Sequence, residues 1–68
     1  MSSLTKIGNN LKKTRKSMNL RQIDIAKKAE LNTSYYARIE RGEINFSVNI
    51  LGRVVKALKT TASKILPF

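Results

Sequence analysis

The spacing of apolar residues constrains this chain more than any other feature of it. Leu4, Ile7, Leu11 and Met18 stand three, four and seven positions apart, with Lys12, Lys13 and Lys16 on other faces. That is the period of an amphipathic helix, Leu4 to Met18. The pattern stops at MNLRQ and resumes from Gln22 to Ala29, where Ile25, Ala26 and Ala29 form the buried stripe and Asp24 suits the positive end of the helix dipole. Asn32 is a good N-cap for a third run through Ile39 to Arg41, which Gly42 can close as a left-handed terminator. Ser47 caps a fourth helix with Val48, Leu51, Val54, Val55 and Leu58 as its stripe; Thr60 and Thr61 separate it from a short turn over Ala62 to Leu66. No strand alternation, internal repeat or low-complexity tract interrupts this sequence, so the predicted class is all-α with five helices. Gly52, inside the fourth helix, is read as a point of close helix packing.

A chain of 68 residues suffices for one domain, 1–68, with a small core and leaves no room for a separate sensor module. It has no cysteine and no histidine, which excludes a disulfide framework, the usual zinc spacings, and thiol or imidazole catalysis. An acid and base pair, a nucleophile with its base, and a phosphate-cradling glycine loop are also missing, so no enzyme, metal, cofactor or small-molecule ligand is expected. Fourteen Lys and Arg against four Asp and Glu give a formal net charge of +10, a field that attracts polyanions. Nucleic acid is the first partner to consider. No stretch reaches the roughly 18 apolar residues of a spanning helix, and MSSLTKIGNN lacks the apolar run of a signal peptide. A cytoplasmic location and no membrane partner are therefore expected.

The third helix carries two different faces. At about 100° per residue from Thr33, Ala37 lies near 40°, Ser34 near 100° and Arg38 near 140°, while Ile39 and Tyr36 lie near 240° and 300°. Tyr36 and Ile39 turn to the core; Thr33, Ser34, Ala37 and Arg38 form a small hydrogen-bonding face with one long cation, suited to a major groove about 12 Å wide. Tyr35 sits on the flank, where its ring can pack while its hydroxyl reaches the nucleic acid. These five residues are the candidate base readers. Lys27 and Lys28 join the lysines of the first helix in the general positive field.

Gln22, Ile25-Ala26, Leu31-Asn32, Tyr36, Ile39-Glu40 and Gly42 resemble the helix-turn-helix signature of the Cro and CI repressor superfamily. The likeness continues through Asn45, Ser47, Leu51, Val54, Ala57-Leu58 and Ile65-Leu66, and so covers most of the chain. Within that superfamily SYYARIERGEIN is most similar to restriction-modification controller proteins. The resemblance implies a compact lambda-repressor-like fold with the helix-turn-helix at helices 2 and 3, binding double-stranded operator DNA as a homodimer and regulating transcription. It also implies phosphate contacts from Gln22, with Arg21 beside it, and from the amides around Asn45, Phe46 and Ser47, where a positive helix end meets an oxyanion. Arg15 and Glu40 match the family's partly buried salt bridge between the first and third helices. The dimer surface is expected at Ile65, Leu66 and Phe68, because the apolar end exceeds what a terminal turn buries in its own core.

Four positions depart from the superfamily pattern: Glu30 replaces the usual turn glycine, Arg21 a Ser or Thr cap, Phe46 a common Pro and Thr14 a common Leu. A glutamate in a left-handed turn costs about 1 kcal/mol, so a more open turn is expected there. A phage-type repressor and an antitoxin of the same fold compete with the controller reading. The antitoxin is disfavoured because the sequence ends at Phe68 without a disordered toxin-wrapping tail. An RNA-binding structural protein is a weaker alternative, since no exposed aromatic platform is evident.

Overall fold

A computed structural model describes residues 2–68, which form five α-helices: α1 (Ser3–Ser17), α2 (Gln22–Lys28), α3 (Thr33–Glu40), α4 (Val48–Ala57) and α5 (Ala62–Ile65). Helix α3 packs on α1 and α2, α4 packs on α2, and α5 lies against both α1 and α4. Leu11, Ile25, Tyr36, Ile39, Val54, Leu58 and Ile65 are each less than 2% exposed and fill the space between the helices. Full burial of one such aliphatic side chain stabilises the fold by about 1.5–3 kcal/mol, so this small cluster carries most of the favourable energy.

The first four helices start and stop for local reasons. Ser2 accepts the Thr5 amide at 3.2 Å, Asn32 accepts those of Ser34 and Tyr35 at 2.8 and 3.3 Å, and Ser47 accepts that of Ile50 at 3.1 Å. Arg21 has no acceptor to offer at the start of α2. There Asp24 bonds back to the Arg21 amide at 2.8 Å, which supplies half of a capping box.

Four helices end in the same paired bond, in which the residue after the cap adopts a left-handed conformation. In α3 that residue is Gly42, at φ 72°, and the closing bonds run from Gly42 N to Ile39 O and from Glu43 N to Arg38 O, both 3.0 Å. In α1, α2 and α4 the position falls to Asn19, Glu30 and Lys59, with φ of 58°, 57° and 52°. The open turn expected at Glu30 is therefore not formed. Glu30 N bonds Lys27 O at 3.1 Å and Leu31 N bonds Ala26 O at 2.8 Å, as in a glycine-terminated helix. Arg53 of α4 adds two donors to the same corner, Nε to Ala29 O at 2.8 Å and Nη2 to Glu30 O at 2.6 Å. These bonds offset the strain of a side chain in the left-handed region.

Two further expectations are corrected. Val48, the first residue of α4, is 85% exposed; Ile50 of the same turn packs against the cluster alongside Leu51 and Val55. Gly52 faces open space, with nothing within 4 Å of an added Cβ, so it is not a packing contact. The close approach is made by Gly8 in α1, where an added Cβ would overlap the carbonyl oxygens of Glu40 and, at 2.7 Å, Ile39. The absence of a side chain at Gly8 lets α1 lie directly on the last turn of α3.

Candidate nucleic-acid interface

Helix α3 presents Thr33, Ser34 and Arg38 to solvent and Ala37 half-buried, while its opposite side places Tyr36 at 0% and Ile39 at 1% exposure. Tyr35 is half-buried on the flank, its side chain against the core cluster. The five candidate base readers thus share one face and its edge. Asn32 occupies the first free amides of the helix, so what the outer face offers a ligand is chiefly side-chain chemistry.

Behind that face a polar network ties three helices together. Arg15 of α1 donates to Glu40 of α3 from Nε at 2.7 Å and from Nη2 at 3.1 Å, and its Nη1 donates to the Leu20 carbonyl at 2.8 Å. Gln22, first residue of α2, donates from Nε2 to Glu40 Oε1 at 3.1 Å. Burial pushes the Glu40 carboxyl up, but the bonds from Arg15 and the Gln22 amide, with the Tyr36 hydroxyl nearby, carry it below the ordinary carboxylate value. The Glu40 bond in turn raises the Arg15 guanidinium. Tyr36 Oη lies in this field, buried and with no hydrogen bond among the described residues, and its burial pushes the phenol well up. The network holds the start of α2 and the end of α3 at a fixed separation, so Gln22 reaches the surface beside α3 only half-buried.

At the other candidate phosphate positions the bonding is more local. Arg21 is exposed and paired with Asp24, Nη2 to Oδ1 at 3.2 Å. Asn45 Oδ1 accepts the Phe46 amide at 3.1 Å and Phe46 packs against the core, while Ser47 caps α4. The first turn of α4 retains further donors beyond the one its cap satisfies. The candidate phosphate positions thus fall at two helix starts, of α2 and of α4.

The C-terminal candidates separate. Ile65 is 0% exposed and lies inside the core of its own chain, so it is withdrawn as a dimer contact; Leu66 is half-buried against the same cluster and Phe68 is 87% exposed. The helical turn places Ile65 toward α1, where Asn10 Nδ2 holds its carbonyl oxygen at 2.7 Å.

Sequence reasoning passed over Glu43. Its carboxylate accepts from Arg41 Nε at 2.6 Å and pairs with Arg38 Nε at 3.7 Å. With only four acids in the chain, seeking a cation for each would have singled it out. Arg53 gave no comparable signal, because its partners are backbone carbonyls some two dozen positions earlier. Among the described residues no group of three or more His, Cys, Asp or Glu could hold a metal ion, and no helix is long and apolar enough to cross a membrane.

A short helix with a polar outer face, buttressed by a second helix across a tight turn and enclosed in five helices, defines a lambda-repressor-like helix-turn-helix domain. The family described as "Helix-turn-helix" matches residues 11–65, and the chain belongs to it, a family of non-enzymatic DNA-binding regulators. The chain is 40% identical over 60 residues to the immunity repressor protein of Bacillus phage phi105, covering 88% of this chain but only 42% of that repressor. Among solved structures it resembles the restriction-modification controller protein C.AhdI from Aeromonas hydrophila, with TM-score 0.89 and 28% identity over 93% of this chain and 96% of that one. It also resembles the controller protein C.Esp1396I, solved as a tetramer in complex with its natural 35 base-pair operator, with TM-score 0.85 and 28% identity over 93% of this chain and 83% of that one.

Proposed function

We propose that this protein is a sequence-specific regulator of transcription of the restriction-modification controller kind, binding double-stranded DNA as a homodimer with α3 of each subunit in successive major grooves. The observation that carries the reading is the division of α3: Tyr36 and Ile39 are sealed in the core, which commits Thr33, Ser34, Ala37 and Arg38 to the outside. Base readout falls to these residues and Tyr35. Gln22, with Arg21 beside it, and the Asn45 to Ser47 segment take phosphates, since helix starts favour anions. The near-complete overlap with C.AhdI, 96% of its length, supports the controller reading. The 40% identity to a phage immunity repressor favours a second reading, a phage-type repressor, in which the same interface acts within a longer protein.

Residues 1–68 act as one DNA-binding unit, and the dimer surface draws on the exposed Phe68 and the half-buried Leu66. Selection from a random pool of double-stranded DNA tests the whole reading. It should enrich a palindromic consensus whose half-site centres are about 34 Å apart, or a multiple of that, as two-fold helix-turn-helix dimers require. Enrichment of no sequence, or of an asymmetric one, would overturn it.

A further inference from the structure

The carboxylate of Glu43 stands at the end of α3 between two cations, and the backbone fixes it there. Gly42 turns the chain through a left-handed conformation, and the Glu43 amide bonds the carbonyl of Arg38 at 3.0 Å. Arg41 then secures the carboxylate from one side, Nε to Oε2 at 2.6 Å and Nη2 to Oε1 at 3.4 Å. Oε1 faces the Nε of Arg38 at 3.7 Å. Glu43 faces the Nε side of the Arg38 guanidinium at ion-pair distance, without a hydrogen bond, and the two Nη groups of Arg38 make no hydrogen bond among the described residues.

We propose that Glu43 is a specificity-determining residue: it holds Arg38 by the Nε edge so that the Nη pair is presented to a guanine, and its charge keeps the same guanidinium off phosphate. The inference rests on the reading of Arg38 as a base reader. A guanidinium can offer the same pair of donors to a phosphate or to the O6 and N7 of guanine. On a chain of net charge +10 beside a polyanion, an unrestrained arginine is drawn to whichever phosphate lies nearest. A carboxylate against Arg38 repels the charged phosphate more strongly than the uncharged guanine edge, so it acts on the difference between the two ligands. The proximity of Arg41, and then of Arg38, also holds the Glu43 carboxyl below its ordinary value, so the charge is present at neutral pH.

The test compares binding to the selected operator and to random duplex DNA for the intact protein, Glu43→Gln, Arg38→Ala and the double variant, with thermal midpoints recorded alongside. Glu43→Gln keeps shape and surface position, so its midpoint should barely move. Its affinity for random DNA should rise while that for the operator does not, lowering the operator-to-random ratio by up to about fivefold, the most open to an exposed ion pair. In the Arg38→Ala background the same change should shift both DNAs by one factor. If Arg38→Ala alone leaves the ratio intact, base reading by Arg38 is wrong, and the inference falls with it. If Arg38→Ala lowers the ratio but Glu43→Gln does not, or does so equally without Arg38, only the inference is overturned.

Discussion

Arg53 Nη2 lies 2.6 Å from the carbonyl oxygen of Glu30, so an arginine in α4 closes the turn of the helix-turn-helix from outside it. Its Nε holds the carbonyl of Ala29 as well. Hydrogen bonds from a charged donor contribute about 1.5–3 kcal/mol each at most, and Arg53→Ala should lower unfolding stability by about 2 kcal/mol in urea titrations. Glu30→Gly, which relieves the left-handed strain while keeping the carbonyl, should change stability the other way by up to about 1 kcal/mol. An unchanged midpoint for Arg53→Ala would mean that the turn stands without it.

The two helical glycines should respond oppositely to alanine. At Gly8 the new methyl meets backbone carbonyls that cannot swing away, so α1 and α3 must separate and Gly8→Ala should cost more than about 3 kcal/mol, as severe core overpacking does. At Gly52 the methyl enters open space and gains helix propensity, so Gly52→Ala should stabilise by about 0.5–1 kcal/mol. Thermal unfolding of the two variants side by side checks both signs.

Acid should act through Glu40 in a way that depends on Arg15. The carboxyl is held below the ordinary glutamate value of 4.5, so its contribution is complete above that pH and is lost as the pH falls through the lowered folded value. Arg15→Met leaves the carboxylate buried without its partner and should cost about 3–5 kcal/mol at pH 7. Burial then raises the carboxyl, and the difference from the intact protein should narrow as the pH is lowered toward 4. A difference that stays constant over that range would contradict the pairing.

On DNA, Arg38→Ala should cost about 1–3 kcal/mol at the operator and relax preference at one base pair per half-site, whereas Lys27→Ala should weaken all sequences alike. Equal losses on operator and random DNA would reassign Arg38 to a phosphate and pass base readout to Thr33, Ser34 and Tyr35.

Salt should weaken binding steeply. With roughly 6 to 10 phosphates contacted per dimer, log K against log salt should slope at about −5 to −9. A slope near −1 would leave the helix starts of α2 and α4 without their assigned anions.

What the sequence disclosed was the part encoded by near neighbours. Asn32, Ser47 and Gly42 sit within one turn of the groups they satisfy, and the alternation of Tyr36 and Ile39 with Ala37 and Arg38 follows from the helical period alone. Features that depend on a distant segment were hidden. Glu30 and Lys59 disfavour the left-handed region by their own chemistry; the closing bonds of their helices, and for Glu30 the reach of Arg53, hold them there. Gly8 and Gly52 look alike in composition and period, and only the placement of α3 decides which one is crowded. Ile65 and Phe68 are both apolar and terminal, yet one enters the core and the other does not, because the direction of α5 is set by α1 through Asn10.

That last contact also makes the core depend on a distant segment. Asn10 waits for a carbonyl 55 positions further on, and Ile65 seats between helices made long before it. Four helices close their own C-terminal ends through local bonds, but the cleft between α1 and α4 is sealed only when α5 is seated. A chain that lacks α5 therefore leaves an apolar seam open between α1 and α4.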